Sequence, residues 1–403
     1  MSTRRRGLRR VVAPLERFIE VEYASGIVLL AATLIALAWA NSPFGASYHR
    51  LRDLTVPLPF GPELSQRSLQ FWVNDGVMMI FFFVVGLEIR CELHDGALSE
   101  RRAAALPLIA AIGGMLAPAL LYLALARDAA LLHGWAIPTA TDIAFAVGIA
   151  TLLAGSAPPA MRALLLALAI IDDIGAVLII AWFYARHIDA VSLLIAAAVL
   201  ALLWVLERSA LRWGVNYLLG APIVWWGFLH GGVHPALAGV ALGLLVPPRA
   251  RAGGGPGEES PAARLERWFH PWVAYALMPL FALANAGIDL AGVSLDEPAT
   301  RHLIAAIGAA LLLGKPLGIW LATRIGLSLK WCRLPAGTTP RELLVIGALG
   351  GIGFTMSIFI ANLAFTDPAR LTAAKLGVLV GSAAAAIAAL LLGRLATAPR
   401  DSG

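Results

Sequence analysis

Apolar residues in this chain fall into long runs parted by short polar connectors. They neither alternate nor recur along a single stripe. The runs lie at about 22–41, 71–90, 103–126, 135–154, 160–184, 189–207, 214–230, 232–246, 268–288, 302–323, 341–364 and 371–395. A helix rises about 1.5 Å per residue, so about 20 apolar residues cross the roughly 30 Å of a bilayer's hydrocarbon core. The pattern therefore predicts an all-α, polytopic membrane protein of about twelve transmembrane helices. Periodicity adds little, because helices bundled in lipid are apolar nearly all round. Composition agrees: 59% of the residues are hydrophobic and 14% charged, against about 25% charged in soluble domains. A soluble multidomain protein is excluded.

The basic residues set the topology. Arg4, Arg5, Arg6, Arg9, Arg10 and Arg17 crowd the N-terminal tail. Alternate connectors carry Arg90, Arg101 and Arg102; Arg208 and Arg212; Arg249, Arg251, Arg264 and Arg267; and Arg324, Lys330 and Arg333. The intervening connectors hold fewer, so both termini are expected in the cytoplasm. A net charge of +6 scattered in this way forms no basic face for nucleic acid. The start MSTRRRGLRR resembles a twin-arginine export signal, but the first apolar run is long enough to span and no small-residue cleavage site follows it. The expected layout is a basic cytoplasmic tail (1–21), one transmembrane domain (22–397) and a C-terminal tail (398–403). Within the domain, 247–263 reads as a Gly/Pro-rich cytoplasmic linker. Residues 54–69, around Phe60-Gly61-Pro62, read either as an irregular loop or as an external hairpin whose edge can pair with a second copy of the chain. Cys91 and Cys332 are expected as free thiols in short basic connectors.

Candidate chemistry centres on ALLLALAIIDDIGAVLIIAWFY (163–184), which places Asp172 and Asp173 side by side in mid-span. One Asp at the centre of a lipid-embedded helix costs about 2.5–3.5 kcal/mol on insertion scales. Two adjacent ones point to an ion-binding site, the alternative being a structural ion pair. Two other spans are interrupted. The fourth carries Pro138, Thr139, Thr141 and Asp142, and the eleventh Gly347, Gly350, Gly351 and Gly353. Proline removes a backbone donor and glycine weakens a helix, so both are predicted to be discontinuous. Each is the middle member of a trio of spans, and the two enter from opposite sides. That is the pattern of inverted-topology repeats with a binding site at the midplane. Lys315, in LLLGKPLGIW, needs a carboxylate partner, with Asp142, Asp172 and Asp173 as candidates. Half-helix ends carry partial charges, positive at N-termini and negative at C-termini. Asp142 and Lys315 have the signs to offset them.

These same runs, TATDIAFA (139–146), LAIIDDIGA (168–176), LGKPLGI (313–319) and GGIGFTMSIFIA (350–361), resemble the NhaA-type sodium/proton antiporters. So do WVNDGVM (72–78), GLEIRCEL (86–93), GVHPALAG (232–239) and RLERWFHPWVAYALMPLFALANAG (264–287). Those transporters are among the cases from which the inverted-repeat rule is drawn, so the rule is not independent support. The resemblance implies a twelve-helix, pH-regulated, electrogenic exchanger of the bacterial inner membrane. It would export Na⁺ or Li⁺, import H⁺, need no cofactor, and form a homodimer through the external hairpin. It implies Asp173 as principal cation ligand, with Asp172 as its partner exchanging between proton, cation and a bond to Lys315. Thr141 and Asp142 would lie where the broken helices cross. Glu88, Glu266 and His234 match positions tied to pH response, and Asp75 matches a further membrane carboxylate. Arg90-Cys91 and Arg267 depart from the common pattern, which bears on the pH set-point.

Adjacent helix residues point about 100° apart, so one aspartate can hold a cation while the other faces Lys315. A dehydrated Na⁺ takes hard oxygen ligands, and two buried neighbouring carboxylates repel, which either a proton or a cation relieves. Exchange follows if the site opens to one side at a time. Whether Asp172 or Lys315 carries a second proton stays open. His230 and His234 are spaced i, i+4 like a metal pair, but Gly231-Gly232 intervenes and no third ligand is near in sequence. Gly351-Ile-Gly353 lacks the third glycine of a dinucleotide loop, and no P-loop occurs. Two rival functions remain. An intramembrane aspartyl protease needs two carboxylates sharing a proton. A channel needs weak, multi-ion sites.

Overall fold

The computed structural model describes residues 24–56, 64–94, 96, 101–153, 159–185, 187–208, 213–248, 259–335 and 339–397. The expected tails (1–21, 398–403), the hairpin tip with Phe60-Gly61-Pro62, and linker residues 249–258 lie outside them. The described residues are mostly helical and form no β-strand beyond one isolated bridge. In chain order the helices are α1 (Ala24–Ala40), α2 (Gly45–Arg52), α3 (Met78–His94), α4 (Arg101–Leu125), a 3₁₀ half-helix (Ala129–Thr139), α5 (Ile143–Leu152) and α6 (Pro159–Phe183). Then come α7 (Ala190–Arg208), α8 (Trp213–His230), α9 (Leu237–Leu245), α10 (Pro261–Trp272), α11 (Met278–Asn285), α12 (Pro298–Ala309), α13 (Lys315–Ser328), α14 (Pro340–Gly350), α15 (Phe354–Ala364) and α16 (Pro368–Thr397).

Five described helices are individually long and apolar enough to cross a bilayer, and three bent pairs bring that number to as many as eight. The other apolar runs fold as shorter or interrupted helices. Large apolar side chains face outward along the spans: Trp182 is 84% exposed, Leu218 74% and Leu178 63%. In water such a surface would drive association, whereas in lipid it is the solvated face.

Three helices contain a π turn, which periodicity did not predict. Trp72–Val77 precedes α3, Val273–Leu277 joins α10 to α11, and Ala310–Gly314 joins α12 to α13. Each inserts one residue into the helical ladder, re-aiming the side chains that follow. Pro279 and Pro316 lie just beyond two of these turns. Their missing N–H groups account for part of the ladder change.

Several boundaries differ from expectation. Cys91 lies inside α3 rather than in a connector, and neither cysteine forms a disulfide. The linker ends earlier than residue 263, because Ser260 accepts a hydrogen bond from Ala263 N and caps α10 at Pro261. Of the hairpin, one antiparallel bridge is described, Thr55 with Ser68, flanked by Leu69 N–H to Leu54 O at 2.8 Å.

Small residues set how closely the bundle packs. Helix α4 lies against α13 where Gly113 meets Gly318: a Cβ on Gly113 would sit 2.3 Å from the Gly318 carbonyl oxygen. That approach brings Lys315, one turn before Gly318, under the cover of α4. Gly318→Val is expected to force α4 and α13 apart at a cost of about 1–3 kcal/mol. A lower thermal midpoint in detergent checks this, and an unchanged midpoint would show that the close approach is dispensable.

Candidate functional site

The two interrupted spans break where the sequence places Pro138–Asp142 and Gly351–Gly353. The 3₁₀ half-helix and α5 are bent by 53° across Ala140–Asp142, and α14 and α15 by 45° across Gly351–Gly353. The breaks touch: the Asp142 N–H donates to Ile352 O at 2.7 Å. Unwinding strands backbone groups in apolar surroundings, where each one left unpaired costs a few kcal/mol. Several of the freed groups are met by side chains at the breaks or from neighbouring helices.

At the N-terminal ends, Asp142 serves both half-helices. Its Oδ1 accepts from Phe145 N at 3.0 Å, capping α5, and its Oδ2 accepts from Thr355 N at 3.1 Å at the start of α15. The Thr355 hydroxyl also donates to Oδ2. Ser382 of α16 accepts from Phe354 N at 3.1 Å. At the C-terminal ends, Lys315 Nζ donates to Thr139 O at 2.6 Å and the Ser357 hydroxyl to Ile137 O at 2.6 Å. The Thr141 hydroxyl lies 2.9 Å from Gly350 O. A carboxylate thus sits at the positive ends and an ammonium at a negative end, the arrangement that offsets both dipoles.

Lys315 has a specific counter-ion. Its Nζ lies 2.9 Å from Asp172 Oδ2, with both side chains fully buried. Of the three candidate partners, Asp172 is the one engaged. The Thr141 hydroxyl lies 2.7 Å from the same Oδ2. Its single proton serves either Asp172 or Gly350 O, not both. Asp173, one residue on and 3% exposed, faces elsewhere. It lines a cavity of about 330 Å³ together with Thr141 and Asp142, whereas Asp172 and Lys315 do not. Asp172 Oδ1 and Asp173 Oδ1 are buried without a protein donor, so both carboxylates keep an oxygen for a further ligand.

The cavity's other end is acidic. Glu88, Cys91, Glu92, Glu266 and His270 line it with Asp173, so Glu88 and Glu266 share one space with the aspartate. His270 Nδ1 approaches Glu88 Oε1 at 4.0 Å. Glu266 precedes the apolar run at 268–288, and burial pushes its carboxyl upward, partly offset by a hydrogen bond from Cys91. Arg267 pairs with Glu259.

His234 does not join this group. Its Nε2 lies 3.2 Å from Asp75 Oδ1, and its Nδ1 accepts from Ala236 N, which places the ring proton on Nε2. His230 instead lies 3.0 Å from Trp226 O, so the two histidines share no ligand. Against a proton-sharing dyad of the protease kind, Asp172 is bound to Lys315 and Asp142 accepts from Thr355.

Sequence reasoning did not single out Thr355, Ser357 and Ser382. Their signal was a run of small hydroxyl residues beside the glycines of the eleventh span and in the last span. It also missed the amides Gln70, Asn74, Asn285 and Asn362.

The sequence profile of the Na⁺/H⁺ antiporter 1 family matches residues 16–392. The chain belongs to this family. Similar proteins include the Na⁺/H⁺ antiporter NhaA 2 of Sorangium cellulosum, 47% identical over 99% of this chain and 93% of the relative. The Na⁺/H⁺ antiporter NhaA of Acidovorax sp. is 50% identical over 95% and 92%. That of Bordetella petrii is 47% identical over 96% and 91%. Membership in the Na⁺/H⁺ antiporter 1 family makes this chain a secondary transporter of the membrane and not an enzyme.

Asp172→Asn strands Lys315 as an uncompensated buried charge and is expected to cost about 3–5 kcal/mol. Asp172→Asn with Lys315→Met removes both charges and should recover most of that loss. Thermal midpoints of the three proteins in detergent check this. A double variant no more stable than the single one would show that the pair is not what holds these helices together.

Proposed function

We propose that this chain exchanges Na⁺ or Li⁺ for H⁺ across a bacterial cytoplasmic membrane by alternating access, with Asp173 as the principal cation ligand. The observation that carries the reading is the division of labour between neighbouring aspartates: Asp173 reaches the cavity while Asp172 is closed onto Lys315. The names of the bacterial relatives support sodium/proton antiport. Twelve spans arranged as inverted repeats, with both termini inside, agree with the arginine distribution and with the paired breaks.

The exchange runs as follows. The cavity is the cytoplasmic half-path, since it reaches Glu88, Cys91 and Glu92 at the end of α3 that the arginine pattern puts inside. Na⁺ enters past Glu88 and Glu266, meets Asp173 and displaces its proton to the cytoplasm. The free oxygens of Asp172 and Asp173 and the nearby Thr141 hydroxyl supply hard ligands. Ligation by Asp172 weakens its bond to Lys315, so a second group takes part in proton exchange. More protons than cations then cross per cycle, and the exchange carries charge. After reorientation Na⁺ leaves outward, protons load from outside, and the site returns. The crossing lets a few ångströms of half-helix movement change which side the site faces, because Asp142 and Lys315 hold the breaks without continuous helix. Glu88, Glu266 and His234 tune the pH response, and residues 54–69 join two copies as a homodimer.

Asp173→Asn is expected to abolish Na⁺-driven proton movement in liposomes with the fold retained. Full exchange by this variant removes Asp173 from the site. Glu266 regains its proton at a higher pH than a solvated glutamate. Its charge, and the pull it exerts on cations at the mouth, is therefore present at alkaline pH and lost as pH falls. Glu266→Gln should raise the apparent KM for Na⁺ about two- to tenfold at alkaline pH and converge with the parent in acid. Proton flux measured across a pH series checks this, and an unchanged profile after substituting both Glu88 and Glu266 would reduce them to ordinary interfacial charges.

A further inference from the structure

Beyond the ion site, away from the cavity mouth, lies a cluster of amides that the exchange chemistry leaves unused. Its hub is Asn285, the last residue of α11 and 2% exposed. Asn285 Oδ1 accepts from Asn362 Nδ2 at 3.0 Å, Gln70 Nε2 at 3.2 Å and Asn74 Nδ2 at 3.3 Å. Its Nδ2 donates to Asn74 Oδ1 at 2.7 Å and to Phe281 O at 3.0 Å. One side chain therefore ties together the segment leading into α3, the end of α11 and the end of α15.

The cluster stands in line with the ion site. On α15, Thr355, Phe359 and Asn362 follow at i, i+4 and i+7, one face of a helix, and Thr355 is the residue bonded to Asp142. On α11, Met278, Phe281 and Asn285 follow at i, i+3 and i+7, and Met278 lines the cavity. Between the two levels lies a phenyl layer: the Phe359 ring is 5.3 Å from that of Phe82 on α3 and 6.1 Å from that of Phe281. The same three helical segments thus reach the ion site, close over it with aromatic rings, and are bound together beyond the rings by amides. Neutral amide bonds between helices are individually weak in membranes and exchange readily for water. A purely structural contact at this level needs no polar atoms, whereas a contact that must open to water and close again does.

We propose that the Asn285 cluster is the latch of the outer half-path: it holds the far side shut while the cytoplasmic cavity is open, and it parts when the cation is released outward. Asn285 acts through the spans it joins and is a positioning residue. The inference rests on the exchange reading above.

The test bridges the latch. In a Cys91→Ser/Cys332→Ser background, Asn74→Cys and Asn285→Cys are joined with a short bifunctional thiosulfonate. The bridged protein should bind ²²Na⁺ in detergent within about twofold of its unbridged form. Its exchange in liposomes should fall at least tenfold and return on reduction. Undiminished exchange with the bridge in place overturns the latch, as does loss of Na⁺ binding on bridging. Absence of Na⁺-driven proton movement in liposomes holding the protein with its native cysteines overturns the exchange reading instead, and the latch with it. Asn362→Ala, which deletes a single bond to the hub, guards against misfolding of the double variant. By destabilising the cytoplasm-open state it should raise the apparent KM for Na⁺ offered from the cytoplasmic side about three- to tenfold, and an unchanged KM would also overturn the proposal.

Discussion

Two helices stop being helices in the middle of an apolar bundle, and the structure is arranged around satisfying what that frees. In water the stranded N–H and C=O groups would be solvated without charge. Here the compensation is built from side chains at the breaks and on neighbouring helices. Asp142 gathers the N-terminal ends of α5 and α15, while Lys315 and Thr141 attend to the C-terminal ends at Thr139 and Gly350. Because these compensating groups are an acid, a base and a hydroxyl, the repair of the backbone is also a polar pocket at mid-membrane. The site is a consequence of the breaks, and the breaks are tolerable because of the site.

The adjacency of Asp172 and Asp173 then acquires a direction. A helix turns about 100° between neighbours, so the pair cannot look the same way. The close approach of α4 and α13 at Gly113 and Gly318 supports Lys315 on the Asp172 side, leaving Asp173 on the cavity side. A cation that draws on both carboxylates must therefore compete with an existing ion pair. In the proposed exchange, that competition couples cation binding to a second charged group. A lone aspartate in the same cavity would bind a cation or a proton with no further consequence.

What could be read from the sequence follows from what lipid demands. Apolar runs, arginine-bearing connectors, mid-span carboxylates and Pro or Gly interruptions are each local and costly, so Asp142, Asp172, Asp173, Lys315 and the two breaks stood out in the chain. Which carboxylate meets Lys315 is a matter of how α6 and α13 are set against α4, and the residues alone left it open until the resemblance pointed to Asp172. The π turns were illegible, since a single inserted residue leaves no trace in a run that is apolar all round. Yet one of them, Ala310–Gly314, directly precedes Lys315 and sets its direction. The surroundings of His234 were also illegible in the sequence. The resemblance gives it a role in pH response with Glu88 and Glu266, and the structure places its ring beside Asp75. Asn285 and its partners drew no notice because a single amide is inexpensive in a helix, and only their convergence from three segments gives them meaning.

The polar contacts also differ in strength along the axis of the molecule, and the difference matches the exchange proposed above. At the crossing, charged groups meet charges or helix ends among buried side chains, where such bonds are roughly twice as strong as neutral ones. Those contacts suit a hub that stays assembled while the halves around it tilt. Toward the far side the contacts are neutral amides joined through rings, and toward the cavity mouth they are carboxylates open to solvent exchange. A strong centre with weaker contacts at either end is what a protein needs if it must expose one site to two sides in turn without ever exposing it to both.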